Sequence, residues 1–331
     1  MSSGETDGAA LPIDIEEGSR ANEAFMLLAD STRLDILLAL WERYEGTMGD
    51  NAMTFSELFD AVDYDDRGNF SYHLKKLVGT YLVKSSDGYE LSGVGLQLVR
   101  TVVGGFGVAA PELDLPAPDH DCPNCGARTD AVVRDQWFYR LCTACDGYFR
   151  KPGAPDGIIS GAEVPAGAFV GRDPADLPRV IEQPTRNNRL SNIERICHGC
   201  SGPVHAELTV CPDHTAGGPC AACGTAFPAQ VRFTCAVCKH DSIAHPRAVA
   251  SCHPAVVAFY YDRGLPIQYD VKDPESYGRW KEQSMTHEMA VLSAEPPLVE
   301  VTMRYGGDEL RLTLDGDIDV VDVVGPVPTE T

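Results

Sequence analysis

The chain has 331 residues, enough for about two to four small domains. It carries 49 acidic against 27 basic residues, a net charge of −22, with 20 Arg to 7 Lys and 29 Asp to 20 Glu. That balance fits a protein working in molar salt, where the Debye length is about 3 Å and global charge hardly reaches a partner. No apolar run approaches the roughly 18–20 residues of a membrane helix, and residues 1–18 lack the basic and apolar regions of a signal peptide. A cytoplasmic, reducing location is therefore expected, and disulfides are not.

Residues 1–18 read as a disordered acidic tail. Residues 19–108 read as a compact helical unit that closes on a hairpin. A short helix over 23–29 is followed by Asp30-Ser31-Thr32, cap chemistry for a second helix over 33–42. Leu34, Leu37, Leu38 and Trp41 fall at i, i+3, i+4 and i+7, which predicts its buried face. Thr54-Phe55-Ser56-Glu57 is a capping box opening a third helix through Val62. A fourth helix runs over 67–77, with Phe70, Leu74 and Leu77 facing inward. Residues 81–84 and 89–92 flank Ser86-Asp87-Gly88 as a β-hairpin, and a last helix spans 94–103.

Charge singles out the fourth helix. Residues 67–84 hold four cations, Arg67, Lys75, Lys76 and Lys84, and no acid, and no other acid-free stretch of the chain holds as many. Such a cluster in an acidic chain is the footprint of a phosphate-facing surface. By their chemistry Lys75, Lys76 and Lys84 suit phosphates, Arg67, Asn69 and His73 suit base edges, and Tyr72 suits either packing or phosphate.

The order of elements, with Ser71-Tyr72-His73-Leu74-Lys75-Lys76-Leu77 followed by a Leu-Val strand, resembles the winged helix-turn-helix of ArsR-like regulators over residues 19–104. The resemblance implies a recognition helix bearing Ser71, Tyr72, His73 and Lys75 in the major groove of double-stranded DNA, with residues 84–89 as the wing. It also implies a homodimer formed through terminal helices, for which Leu96, Leu98, Val99 and Val102 offer an apolar surface. The metal sites of family sensors have no counterpart: the third helix holds no Cys, and the last holds no His, Asp or Glu.

After a Pro- and Asp-rich linker over 109–120, ten of the twelve cysteines fall into five Cys-x-x-Cys pairs. Two thiolates two residues apart on a tight turn can face one ion, and a second pair completes a tetrahedral zinc site. Cys122 and Cys125 with Cys142 and Cys145 bracket two short strands, the pattern of a zinc ribbon over 121–152. So small a module cannot bury enough apolar surface alone, and a structural zinc supplies on the order of 10–16 kcal/mol in apparent terms. A linker with a short helix, limited by Pro178 and Pro184, is expected over 153–190. Residues 191–250 offer Cys197, Cys200, Cys211, His214, Cys220, Cys223, Cys235 and Cys238, ligands for two more ions and three in all. The simplest pairing is sequential, Cys197/Cys200 with Cys211/His214 and Cys220/Cys223 with Cys235/Cys238. The alternative is interleaved, Cys197/Cys200 with Cys235/Cys238. Thiolate number also admits iron. Cys252 stands alone and reads as a small buried residue.

Residues 251–326 read as a small α+β domain: helices over 254–262 and 273–286, a hairpin of 298–305 with 309–314, and a third strand over 318–324. The expected fold class is α+β and multidomain, with an N-terminal winged helix-turn-helix, tandem zinc ribbons and a C-terminal α+β domain. The whole resembles a group of haloarchaeal ArsR-like proteins with Cys-rich C-terminal halves, which implies transcriptional regulation without specifying the signal. A thiol switch that ejects zinc on oxidation is one alternative. A ribbon adaptor docking on a transcription-machinery protein is another. An enzyme is not expected, because no P-loop, His-Glu-x-x-His or Gly-x-Ser-x-Gly pattern occurs. His205-Ala206-Glu207 before Pro219-Cys220-Ala221-Ala222-Cys223 mimics a deaminase signature at too short a gap.

Overall fold

Asp30 shows how the N-terminal unit is built from its caps. Helix α1 (Ser19–Leu28) ends just before it, and its carboxylate accepts from the Arg33 amide to start α2 (Ser31–Arg43). Thr54 and Glu57 form the expected capping box of α3 (Phe55–Val62). Asp66 accepts from the Gly68 and Asn69 amides to open α4 (Arg67–Leu77). Strands β1 (Leu82–Lys84) and β2 (Tyr89–Leu91) pair antiparallel, and Ser92 caps α5 (Gly93–Val103). Met53 bridges to Tyr89, which ties the start of α3 to the hairpin. Gly88 makes that approach feasible: its φ is +141°, and a Cβ there would lie 2.2 Å from the Met53 carbonyl.

This computed structural model describes residues 19–105, 111–116, 121–265, 273–285 and 287–328. The expected tail over 1–18 and parts of the linker over 109–120 lie outside them. The chain divides into two compact units between residues 107 and 108. The core of the first unit joins Ile36, Leu37 and Leu40 of α2 to Leu58, Phe70, Leu74, Leu77 and Leu82. The buried stripe of α2 is therefore rotated from the expected one, and Leu34 and Leu38 are each 43% exposed. Residues 34–41 are apolar on most sides, so two stripes satisfy the same period, and packing chose between them.

The second unit opens with an antiparallel sheet in the order β3 (Leu113–Leu115), β4 (Thr129–Arg134), β5 (Trp137–Cys142), β6 (Ile158–Glu163). Asp135 and Gln136, at φ 48° and 65°, make the tight β4–β5 turn. Helix α6 (Leu177–Ile193) buries Leu177 and Ile181 against Ala131, Val133 and Phe138 of the sheet and Val164 just beyond β6. The stretch over 153–190 is thus no linker: it contributes β6 and most of a 17-residue helix. Pro178 sits in the first turn, where its missing N–H removes no hydrogen bond, and Pro184 is exposed within the helix.

A second sheet runs β7 (Val204–Val210), β8 (Ala229–Cys235), β9 (Asp241–Ala244), followed by helices α7 (Pro246–Ala250), α8 (Pro254–Tyr261) and α9 (Pro274–Met285). A third sheet runs β10 (His287–Ala294), β11 (Pro297–Tyr305), β12 (Asp308–Asp315), β13 (Val320–Pro328). The expected β11–β12 hairpin is present, β13 starts at 320, and β10 adds a strand that sequence pattern had not indicated. Ala206, Leu208, Val231 and Phe233 share one core with Val299, Val301, Met303, Leu310, Leu312 and Leu314, together with Val249 and Ala250 of α7 and Val256 and Phe259 of α8. The expected division at 250/251 therefore runs through a single core. The protein is mixed α+β and multidomain, and among the described residues no helix is long and apolar enough to cross a membrane.

Candidate functional site

Twelve side chains gather into three groups of four: Cys122, Cys125, Cys142, Cys145; Cys197, Cys200, Cys235, Cys238; and Cys211, His214, Cys220, Cys223. Within each group the ligand atoms lie within 4.8 Å of one another. Cys122 Sγ lies 3.8 Å from Cys145 Sγ, and Cys125 Sγ lies 3.5 Å from Cys142 Sγ. The corresponding distances in the second group are 3.6 Å for Cys197 to Cys238 and 3.5 Å for Cys200 to Cys235. A tetrahedral ion with Zn–S bonds of about 2.3 Å sets its sulfurs roughly 3.8 Å apart, so the donor sets fit a closed four-ligand metal ion. All twelve cysteines are free of disulfides.

Local backbone explains why these sulfurs converge. Cys142 ends β5 opposite Thr129, so the β4–β5 ladder carries the second knuckle back to the first. There the Ala144 and Cys145 amides donate to Cys142 Sγ at 3.3 and 3.2 Å. The Val237 and Cys238 amides repeat this at Cys235, and the Ala222 amide does so at Cys220. Burial opposes the Cys142 thiolate, but those amide donors bring it down to about 7. Backbone donors, the Cys238 amide first, bring Cys235 to about 6, and the Thr215 amide leads those that bring Cys220 to about 6. Burial pushes Cys122 up to about 12. Each group thus holds one sulfur shifted toward the thiolate, the form in which a cysteine binds a metal ion.

The pairing in the second cluster is interleaved, which corrects the simpler sequential reading. Val204 of β7 lies opposite Cys235 of β8, so the hairpin brings Cys197/Cys200 at its start to Cys235/Cys238 at its end. Cys211, His214, Cys220 and Cys223 all lie in the connection at the far end of the same hairpin. His214 Nδ1 is 3.6 Å from Cys223 Sγ, which places the one histidine among the expected ligands within its group. Cys252 stands apart, its thiol 3.5 Å from the Ala248 carbonyl.

Helix α4 has two faces. Phe70, His73, Leu74 and Leu77 are buried at i, i+3, i+4 and i+7. Gly68, Tyr72, Lys75 and Lys76 are exposed and Ser71 is half-exposed on the opposite stripe. His73 therefore belongs to the packed side, with Nδ1 3.3 Å from Asp30 Oδ1, and it does not share the open face on which sequence placed it. The i+3 period of the buried residues was the signal for this. Arg67 lies 4.8 Å over the Phe59 ring, and Asn69 Nδ2 donates to Tyr64 Oη at 2.8 Å. Lys76 and Lys84 lie over the rings of Tyr72 and Tyr89, at 5.5 and 5.3 Å. Of the expected dimer residues, Val99 is buried in the core and Leu96 and Leu98 are half-buried, whereas Val102 is exposed. Phe25 and Met26 on α1, at 73% and 65% exposure, were not singled out in the sequence.

A family model described as Domain of unknown function (DUF7351) matches residues 119–320, more than half of the chain. A second, described as Domain of unknown function (DUF7347), matches residues 21–102. No curated protein matches the chain, and no solved structure does.

Proposed function

Because the chain belongs to the family described as Domain of unknown function (DUF7351), a description that states no activity, we propose its function from its own residues. It is a DNA-binding transcriptional regulator whose N-terminal unit is a winged helix-turn-helix of ArsR-like type. The observation that carries this reading is the open stripe of α4, where Ser71, Tyr72, Lys75 and Lys76 stand exposed or half-exposed in a segment without acids. That stripe would enter the major groove, with Arg67 and Asn69 at its edge and Lys84 on the β1–β2 wing. Lys75, Lys76 and Lys84 would meet phosphates, and Arg67 and Asn69 would discriminate bases.

The exposed apolar residues on α1 and α5, Phe25, Met26, Val94, Val102 and Val103, support a homodimer. Two recognition helices then call for operators with twofold symmetry. The three donor groups would bind zinc, which, when bound, supplies structural cross-links and no reactive position, since four protein ligands close each site.

Genome-wide occupancy of the tagged protein tests this reading, beside a variant with Arg67, Lys75 and Lys76 changed to Ala. Sharp peaks over short inverted repeats, lost in the variant, are expected. Peaks that the variant keeps would remove α4 from DNA reading and favour an adaptor role.

A further inference from the structure

The three donor groups are not held alike. In the first two, the ligand pairs lie at the ends of strands joined by ladder hydrogen bonds, Cys142 opposite Thr129 and Cys235 opposite Val204. Those ladders tie the pairs together through backbone hydrogen bonds in addition to any bound ion. In the third, all four ligands come from one connection, residues 211–223, which contains neither helix nor strand. Turns, the Cys211 amide on the Pro228 carbonyl, the Cys220 amide on the Thr225 carbonyl and the ligands themselves shape it, without a strand ladder. It also offers three thiolates and an imidazole in place of four thiolates, so it attracts a cation less strongly. Local opening governs how fast a bound group exchanges, and openings cost least where few backbone hydrogen bonds hold a segment.

The third group is also wired to a seam. Thr225, 1% exposed, lies two residues beyond Cys223, and its hydroxyl is 3.4 Å from Cys223 Sγ while donating to the Phe227 carbonyl at 2.9 Å. Its own carbonyl accepts from the Cys220 amide at 2.9 Å, and its backbone bridges Phe149. Two hydrogen bonds flank that bridge, Arg150 N to Gly224 O and Ala226 N to Tyr148 O, each 2.9 Å. Phe227 packs edge-on against Phe149 at 5.5 Å and Tyr148 at 6.2 Å. Residues 148–150 follow directly from the Cys142/Cys145 knuckle, so the seam joins the third donor group to the first.

We propose that the Cys211/His214/Cys220/Cys223 group holds the exchangeable metal of this protein, and that its occupancy, transmitted through Thr225, decides whether the 211–227 connection stays docked on residues 148–150. The proposal rests on the zinc reading of the three groups and is independent of the DNA reading. A bound ion fixes Cys220 and Cys223, which fixes the Thr225 backbone between them and Phe149. Loss of the ion frees the connection, opens the seam and exposes Phe149 and Phe227. The chain would thereby carry a zinc-responsive surface of aromatic residues.

Stepwise removal of zinc from the full-length protein by EDTA tests this, followed by native mass spectrometry, iodoacetamide labelling and hydrogen exchange. The first ion lost should leave Cys211, Cys220 and Cys223 alkylated while the eight cysteines of the other two groups stay protected. At that same step the Arg150 and Ala226 amides should exchange about tenfold faster or more, while the β4–β5 ladder keeps its protection. Thr225→Val should retain three ions yet show the fast seam exchange throughout, and Thr225→Ser should restore protection. Three ions that leave together, a first loss from either four-cysteine group, or a seam that stays protected after the third group empties would each overturn this inference alone. Absence of metal from the zinc-loaded protein would overturn the zinc reading and this inference with it.

Discussion

His73 Nδ1 lies 3.3 Å from Asp30 Oδ1, so the fourth helix is joined to the residue that also caps the second. The contact makes His73 a packing residue in a helix whose other polar side chains face outward. His73→Ala should destabilise the N-terminal unit by about 1–3 kcal/mol, the usual cost of truncating a buried, packed side chain. Its preference among operator sequences should stay unchanged once binding is compared at equal folded fraction. Thermal melts together with competition binding check this. A loss of discrimination at one base pair in a fully folded variant would return His73 to the DNA face. The double variant with Asp30→Ala should cost less than the sum of the singles, because the two residues share one contact.

The interleaved pairing makes a sharp count. Cys200 and Cys235 lie in one donor group, so the double variant Cys200→Ser/Cys235→Ser should lose one ion of three and keep two. Under sequential pairing the same two changes would strike two sites and leave a single ion. Native mass spectrometry of the zinc-loaded double variant separates the outcomes. The ion lost should also loosen the β8 end nearest Cys235, since the site closes the open end of that hairpin.

What was legible in the sequence and what was not divides along local against cross-strand information. Thr54 and Glu57 announced a helix start three residues apart, and the structure forms that cap. The ligand identities were legible because Cys-x-x-Cys is itself local geometry. Which pairs meet was not, because it depends on the register of β7 against β8, and Val204 finds Cys235 across a 31-residue separation. Alternation through Val204, Ala206, Leu208 and Val210 was the missed cue for that partner strand. His73 was misplaced because its polar chemistry suggested base contact, whereas its position at i+3 from Phe70 put it inside. On α2, residues 34–41 are apolar on nearly every side, and only the packed neighbours decide that Ile36 and Leu40 are inward.

The Glu57 carboxylate is held below its ordinary value of 4.5 by hydrogen bonds from the Thr54 hydroxyl first and the Thr54 amide next. A depressed carboxylate stabilises the folded state fully above its unfolded value and loses that contribution as pH falls through the folded one. Its share should therefore be complete above about pH 4.5 and fade below it. In Glu57→Gln this pH-dependent share is absent. The difference in melting temperature between the two proteins should be constant from neutral pH down to that point and shrink under stronger acid. A difference that grows on acidification would contradict the capping geometry.

Lys75 and Lys76 lie on the exposed stripe of α4, away from the buried Phe70, Leu74 and Leu77, so removing either should leave the fold intact. Each phosphate contact contributes about −0.9 to the slope of log affinity against log salt. Lys75→Ala should therefore flatten that slope by about 0.9 per subunit and weaken binding to operator and random duplex alike. Arg67→Ala should behave differently: its guanidinium stacks on Phe59 at the edge of the stripe, where a base contact discriminates by about 1–3 kcal/mol. Its loss should relax specificity at one position and change the salt slope less. Fluorescence anisotropy across a series of KCl concentrations, with operator and scrambled duplexes, reads both effects. Equal, sequence-independent weakening by all three variants would reduce α4 to an electrostatic anchor. An unchanged salt slope in Lys75→Ala and Lys76→Ala would remove the helix from the interface altogether.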